Sequence, residues 1–193
     1  RPIGATFIFL YYAFEFMRII GGQLRGLHLN LPRNLPVRPT TDLAKEALFN
    51  ILNNRFDFEQ IRVLDLFSGT GSISIEFASR GVPEIVSVDS NFGCYNYLKV
   101  MAEQYELHAI HPTKANVFKF LMQDMEPFDL IFADPPYDLP QLPQIPSIVV
   151  EQNLLKPEGC FILEHPSMKR LDNDPNFKER RKYGSSSFSF FGV

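Results

Sequence analysis

Two stretches of this chain hold residue types that could do chemistry. In the first, the apolar run Leu130-Ile-Phe-Ala133 stops abruptly at Asp134-Pro-Pro-Tyr137. An unbroken apolar run is expected of a strand covered on both faces of a parallel sheet. Asp134 then puts a carboxylate at the strand's carboxyl end, where open α/β sheets bind ligands. Pro135 and Pro136 offer carbonyls but no N–H, and their fixed φ stiffens the turn. Tyr137 adds a flat aromatic face. Such a set could grip a planar group bearing an NH2: the carboxylate and a prolyl carbonyl accept its two hydrogens while the ring stacks on it. The plainer alternative is a turn that follows a strand.

The second stretch is Asp65-Leu-Phe-Ser-Gly-Thr-Gly71, with Asp89 further on. Arg62 to Phe67 reads as a strand, Ser68 to Gly71 as a tight loop, and Ser72 to Arg80 as a helix with Ile73, Phe77 and Ala78 inward. Gly81 stops that helix, and Ile85 to Val88 forms a strand ending in Asp89. Strand, glycine loop, helix, strand and acid make a nucleotide-binding βαβ unit. Glycines let the backbone approach a ligand, and the acid can hold both ribose hydroxyls. A dinucleotide fingerprint needs a third glycine where this chain has Ser74, which disfavours a nicotinamide enzyme. The loop fits S-adenosylmethionine better, with an acid at the strand end facing the methionine ammonium.

The elements that must position these residues alternate along the chain. Residues 18–37 read as a β-ribbon with a Gly-Gly turn, an apolar underside of Leu27, Leu29 and Leu31, and a basic rim. A helix starts near Thr41, with Leu43, Ala44, Ala47, Leu48, Ile51 and Leu52 as its buried stripe. Asn91 can cap a helix to about Glu106. His108 to Thr113 is a weak strand with Asn116 at its end, and Val117 to Asp124 a short helix. Pro140, Pro143 and Pro146 suggest a mobile loop before a helix at Ser147 to Leu155. Gly159 to Glu164 is a further strand, and Lys178 to Val193 a terminal hairpin turning at Gly184-Ser185. The fold class is α/β, Rossmann-like: a mostly parallel seven-stranded sheet, an antiparallel C-terminal hairpin and a small N-terminal β-ribbon.

Composition narrows the function classes. The chain has 193 residues, enough for one α/β domain with a substantial core, and a net charge of −3. Residues 17–55 nonetheless carry six basic side chains against two acidic ones, a net of +4 that leaves −7 on the rest. A basic arm on an acidic body is compatible with RNA, although a solvated face reads the same way. Cys94 and Cys160 match neither a disulfide framework nor a metal motif, and the four histidines lack supporting ligands, so no metal is expected. Reduced thiols suit a cytoplasmic protein. Residues 1–16 are too short an apolar run to span a bilayer. They read as an extension upstream of a working protein that begins at Met17, or as a degenerate signal segment. The expected division is that extension, a basic ribbon over 17–40 and the main domain over 41–193.

Asp65 to Gly71, Asp89 and Asp134 to Tyr137 resemble, in order and spacing, the motifs of class I methyltransferases that act on exocyclic amino groups. Arg18-Ile-Ile-Gly-Gly-Gln-Leu-Arg-Gly26, Arg38-Pro-Thr-Thr-Asp42, Glu46-Ala-Leu-Phe-Asn50, Ser79-Arg-Gly81 and Lys182-Tyr-Gly184 resemble more closely the RsmD family, the bacterial guanine-N2 methyltransferases of 16S rRNA guanine 966. The resemblance runs from Met17 to the end. It implies that Asp65, Phe67, Ser68, Gly69 and Gly71 cradle the methionine part of S-adenosylmethionine. Asp89 would hold the ribose and Asn116, where many relatives carry Asp, the adenine amino group; Thr40 and Ser90 complete the cofactor set. Asp134 and the Pro135 carbonyl would hold the target NH2, with Pro136 shaping the turn and Tyr137 stacked on guanine. Arg18, Arg25 and Arg38 would contact RNA. The implied partner is 16S rRNA in the small ribosomal subunit, and the implied enzyme a cytoplasmic monomer. Other readings stay open at this point: an amino-methylase of another RNA or DNA base, a nicotinamide oxidoreductase, or a non-catalytic ribosome-assembly factor.

Overall fold

The computed structural model describes residues 16–32, 35 and 40–192. Its centre is a seven-stranded sheet made of β3 (Arg62–Leu66), β4 (Glu84–Asp89), β5 (Ile110–Lys114), β6 (Phe128–Ala133), β7 (Leu155–Pro166), β8 (Phe177–Tyr183) and β9 (Ser186–Gly192). The order across the sheet is β5-β4-β3-β6-β7-β9-β8. β3, β4, β5, β6 and β7 are parallel, while β9 runs antiparallel to both β7 and β8. The strand order reverses between β3 and β6, and the crevice at such a switch point is where open α/β sheets take ligands.

Helices cover both faces: α1 (Asp42–Asn53), α2 (Ser72–Ser79), α3 (Phe92–Gln104), α4 (Val117–Leu121) and α5 (Ile145–Glu151). Thr41, Asn91 and Asn116 cap α1, α3 and α4, each accepting a backbone N–H three residues on. The central strands are apolar on both sides because helices lie on both: Val63, Leu64, Leu66, Leu130, Ile131 and Phe132 are all buried. One core layer holds the edge-on ring cluster of Phe49, Phe58 and Phe77. The other is built around Leu64, Phe128, Ile131 and Phe161.

Three expectations change. The buried face of α1 is Ala44, Lys45, Leu48, Phe49 and Leu52, while Leu43 is 74% exposed. The helix is rotated so that Lys45 points inward to a buried carboxylate. The proline-rich connection after Tyr137 is packed, with Leu142 and Ile145 at 0% exposure, and its helix starts at Ile145 instead of Ser147. β7 is twelve residues long, about twice the expected strand, because it pairs with β6 on one side and β9 on the other.

The N-terminal ribbon is real but smaller than expected. β1 (Phe16–Arg18) and β2 (His28–Asn30) form three antiparallel pairs. Gly21-Gly22 does not close that hairpin; it lies on α2. Glu76, 0% exposed, accepts the N–H of Ile20 at 2.9 Å and of Gly21 at 2.8 Å. Ser79 accepts from Gln23 N–H through its carbonyl (2.6 Å) and from Leu24 N–H through its hydroxyl (2.9 Å). Gly22 has φ +74°, and a Cβ there would sit 1.8 Å from the Ser79 carbonyl oxygen, so only glycine fits. Glu76 also holds Arg80 (2.8 Å) and Lys45 (3.8 Å). Lys45, 1% exposed, donates to the Arg18 carbonyl (2.6 Å) and the Ser72 hydroxyl (3.2 Å), and burial lowers its pKa. A buried acid thus ties ribbon, α1 and α2 together.

Candidate active site

β3 and β6 are neighbouring parallel strands with Leu66 opposite Ala133, and Leu66 also pairs with Val88 of β4. The residues that follow, Phe67, Asp89 and Asp134, therefore emerge side by side at one edge. Asp134 N–H donates to the Leu66 carbonyl at 3.3 Å, which joins the Asp-Pro-Pro-Tyr turn to the start of the glycine loop. Sequence neighbours could not bring these two stretches together; the parallel register does.

The glycine loop is held by its own backbone and by Asp89. Phe67, Gly69 and Gly71 all have positive φ. Ser68 N–H donates to the Val88 carbonyl (3.0 Å) and Gly71 N–H to the Ser68 carbonyl (2.8 Å). Asp89 accepts Gly69 N–H on one oxygen and Asn91 N–H on the other, both at 2.8 Å. Asp89 thus caps the following turn and lies half-buried at the crevice. Ser90 beside it is exposed. Phe67 meets Phe118 edge-on at 6.4 Å. The exposed Asn116 spends its amide oxygen on Lys119 N–H (3.1 Å) as the cap of α4, so any adenine contact would share that oxygen.

Asp65 lies deeper than the sequence suggests. It is 2% exposed and accepts the Ser74 hydroxyl at 2.5 Å, and Ser74 is 2.7 Å from the Ser87 hydroxyl. Ser74, the position that breaks the dinucleotide fingerprint, instead serves this buried polar chain. Burial pushes the Asp65 carboxyl up to about 7, with the Ser74 bonds opposing and the Asp89 charge adding to the rise. Because the folded pKa lies above the unfolded one, the native state holds the extra proton between them, and stability falls as pH rises from about 4 to about 7. Asp65→Asn should remove this dependence. Its stability advantage over the parent should widen by roughly 2–3 kcal/mol between pH 5 and pH 8, read from urea midpoints. An advantage independent of pH would mean that Asp65 does not titrate in the folded protein.

Asp134 is partly buried, Pro135 buried, Pro136 exposed and Tyr137 37% exposed. Burial, then the charges of Glu164 and Asp65, push the Asp134 carboxyl well above the carboxylate range. Glu164 is the residue that sequence reasoning missed. It follows Leu163, the partner of Ala133, so it stands beside Asp134 where the pairing of β7 with β6 ends. It is 4% exposed, and accepts the Tyr137 hydroxyl at 3.3 Å and the Thr40 hydroxyl at 3.2 Å. Burial and the Glu164 charge raise the Tyr137 phenol to about 12. An acid closing an apolar strand, level with Asp134, was the available signal. Thr40 thus lies against Glu164, and it lines a cavity of about 270 Å³ with Met17, Lys45 and Ser72.

Of the arginines, Arg18 is half-exposed and pairs with Asp42 at 2.9 Å, Arg25 is exposed on the ribbon connection, and Arg38 lies outside the described residues. Among the described residues no three His, Cys, Asp or Glu side chains are placed to hold a metal ion, and no helix is long and apolar enough to cross a membrane.

Comparison with known proteins accords with this architecture. The family model described as Conserved hypothetical protein 95 matches residues 17–192. The ribosomal RNA small subunit methyltransferase D of Haemophilus influenzae is 30% identical over 83% of this chain and 84% of its own length. That of Buchnera aphidicola subsp. Baizongia pistaciae is 26% identical over 91% of each. A solved structure of a hypothetical protein from Thermus thermophilus superposes with a TM-score of 0.80 at 30% identity, covering 91% of this chain and 99% of that one. The glycine loop and the Asp-Pro-Pro-Tyr turn on adjacent strand ends, with the ribbon docked on α2, are therefore features of a chain that belongs to the Conserved hypothetical protein 95 family, the RsmD family.

Proposed function

We propose that this protein transfers a methyl group from S-adenosylmethionine to the exocyclic N2 of a guanine in 16S rRNA of the small ribosomal subunit. The observation that carries the reading is Asp134 beside the glycine loop, joined through the Leu66 carbonyl, in a chain whose relatives are named small-subunit rRNA methyltransferases. The residues present suit the donor: positive-φ glycine backbone allows close approach, and half-buried Asp89 suits the ribose. When bound, S-adenosylmethionine supplies an electrophilic methyl on a sulfonium centre.

The protein's own groups do the rest. The amino nitrogen of guanine is a poor nucleophile because its lone pair is delocalised into the ring. Asp134 and the Pro135 carbonyl accept its two hydrogens out of the ring plane and so favour the pyramidal nitrogen of the transition state. Tyr137 stacks on the base, which must leave its own stack to enter. The rigid prolyl turn holds acceptor and ring in one geometry, the proximity contribution. The nitrogen gains a methyl and sheds a proton, and Asp134, with its raised pKa, is placed to receive it.

The deciding experiment incubates the protein with methyl-labelled donor and small subunits from cells lacking the modification, then maps the rRNA by mass. The expected result is one methyl on one guanine of 16S rRNA. Label on adenine or cytosine, or none in rRNA, overturns the reading.

The ribbon's part in RNA binding has its own test. Arg25→Glu should weaken binding of the rRNA substrate about tenfold and flatten the slope of log affinity against log salt by about 1. An unchanged slope would take the ribbon off the RNA.

A further inference from the structure

Asp-Pro-Pro-Tyr alone does not choose among the amino-bearing bases: adenine, cytosine and guanine each offer an NH2 to a carboxylate and a prolyl carbonyl. They differ at the neighbouring ring nitrogen. Beside its amino group guanine carries a ring N–H, a donor, whereas adenine and cytosine present a bare nitrogen there, an acceptor. A site that selects guanine therefore needs a second acceptor next to the one that holds the amino group.

Glu164 stands in that place. The register of β6 against β7 sets it beside Asp134, and each carboxylate feels the other's charge. Two hydroxyl donors, from Tyr137 and Thr40, face it. A carboxyl group offers about four acceptor lone-pair sites, so it can take a ring N–H beside the two hydroxyls. Tyr137 is also the proposed stacking ring, so the Glu164 carboxylate is bonded to the side chain that would face the base.

We infer that Glu164 is a specificity-determining residue: its carboxylate accepts the ring N–H adjacent to the amino group held by Asp134, admitting guanine and rejecting bases with a bare nitrogen at that position. The inference rests on the methyl transfer proposed above. A bare ring nitrogen facing a buried carboxylate sets two acceptors against each other with no hydrogen between them, which costs more than a missing contact.

The test uses 2-aminopurine, which keeps guanine's 2-amino group but has no ring N–H beside it. Small subunits are reconstituted with 16S rRNA carrying either guanine or 2-aminopurine at the methylated position, and kcat/KM is measured for each. The parent protein should prefer guanine by at least about a hundredfold. In Glu164→Gln, whose amide can donate to a bare nitrogen, that preference should shrink at least about tenfold. The ratio cancels the intrinsic difference in amine reactivity and any general loss of activity. A Glu164 that merely anchored Tyr137 would slow both substrates alike and leave the ratio where it was, which overturns the inference. So does a parent protein that methylates 2-aminopurine as fast as guanine, a result that needs no variant to fold. Methyl transfer to neither substrate refutes the proposed function itself, a different outcome from transfer without discrimination.

Discussion

Asp134→Ala should lower the rate of methyl transfer to unmodified small subunits by about a thousandfold or more while S-adenosylmethionine still binds within about fivefold of its parent affinity. The size follows from what Asp134 does in the proposed reaction: it orients the amino group, stabilises the pyramidal nitrogen and receives the departing proton. No neighbour can substitute. Glu164 stands on the next strand, bonded to Tyr137 and Thr40, where the proposed recognition gives it the ring N–H and not the amino group, and Asp65 is buried against Ser74. The pH dependence supplies an independent check. Asp134 can receive the departing proton only when ionised, and its folded pKa lies well above the carboxylate range, so kcat/KM should rise with pH through that raised value. A bound sulfonium places a positive charge nearby and favours the carboxylate, so the rising limb of kcat should fall at lower pH than that of kcat/KM. Single-turnover label transfer, calorimetry and the two pH profiles measure all of this. Turnover retained in Asp134→Ala would remove the carboxylate from the chemistry.

The second large effect concerns stability. Glu76→Ala should destabilise the fold by about 3–5 kcal/mol, the cost of breaking a buried ion pair from one side. Lys45 loses its nearest carboxylate while remaining 1% exposed, and the N–H groups of Ile20 and Gly21 lose their acceptors. For a domain of this size the loss corresponds to a melting temperature lower by about 10 °C. The ribbon should also loosen, so limited proteolysis should cut between residues 17 and 27 in the variant before it cuts the sheet. Lys45→Met combined with Glu76→Gln should recover part of the loss, since the uncompensated charge is gone and an amide oxygen still accepts from the ribbon. A Glu76→Ala protein as stable as its parent would mean that the ribbon is held by its apolar side chains alone.

This arrangement gives the glycine-containing N-terminal motif a structural purpose. Ile20 to Leu24 offers four backbone N–H groups to α2, and Glu76 and Ser79 accept all four. Gly22 is required because the Ser79 carbonyl occupies the space a Cβ would need. The motif that narrowed the resemblance from amino-methylases in general to one family is, in its apolar and glycine positions, a docking device. Arg25, exposed beside it, is the part left to meet solvent or substrate.

The sequence by itself determined whatever depends on neighbours along the chain. The apolar run from Leu130 to Ala133 ends in a strand because four residues without a polar side chain need cover on both faces. The glycine loop after β3 has the positive φ angles that its glycines permit, and Asn91 and Asn116 cap the helices that follow them. Asp134, Asp89 and the loop were legible because each sits at the end of a locally readable element. Tertiary structure alone decided which charges are buried and whom they meet. Glu164 bonds Thr40 from 124 positions away, and Glu76 reaches the ribbon across 55 and 56. Nothing along the chain marks Lys45 and Glu76 as buried, and only the docking of ribbon, α1 and α2 makes them a buried pair. Asp65 read as a ligand-facing acid until the register of β3 against β4, with α2 laid across it, turned its carboxyl to Ser74. The physical reason is common to all four: a side chain's charge is written in the chain, but the desolvation and partner that give the charge its effect are set by strand register and helix rotation.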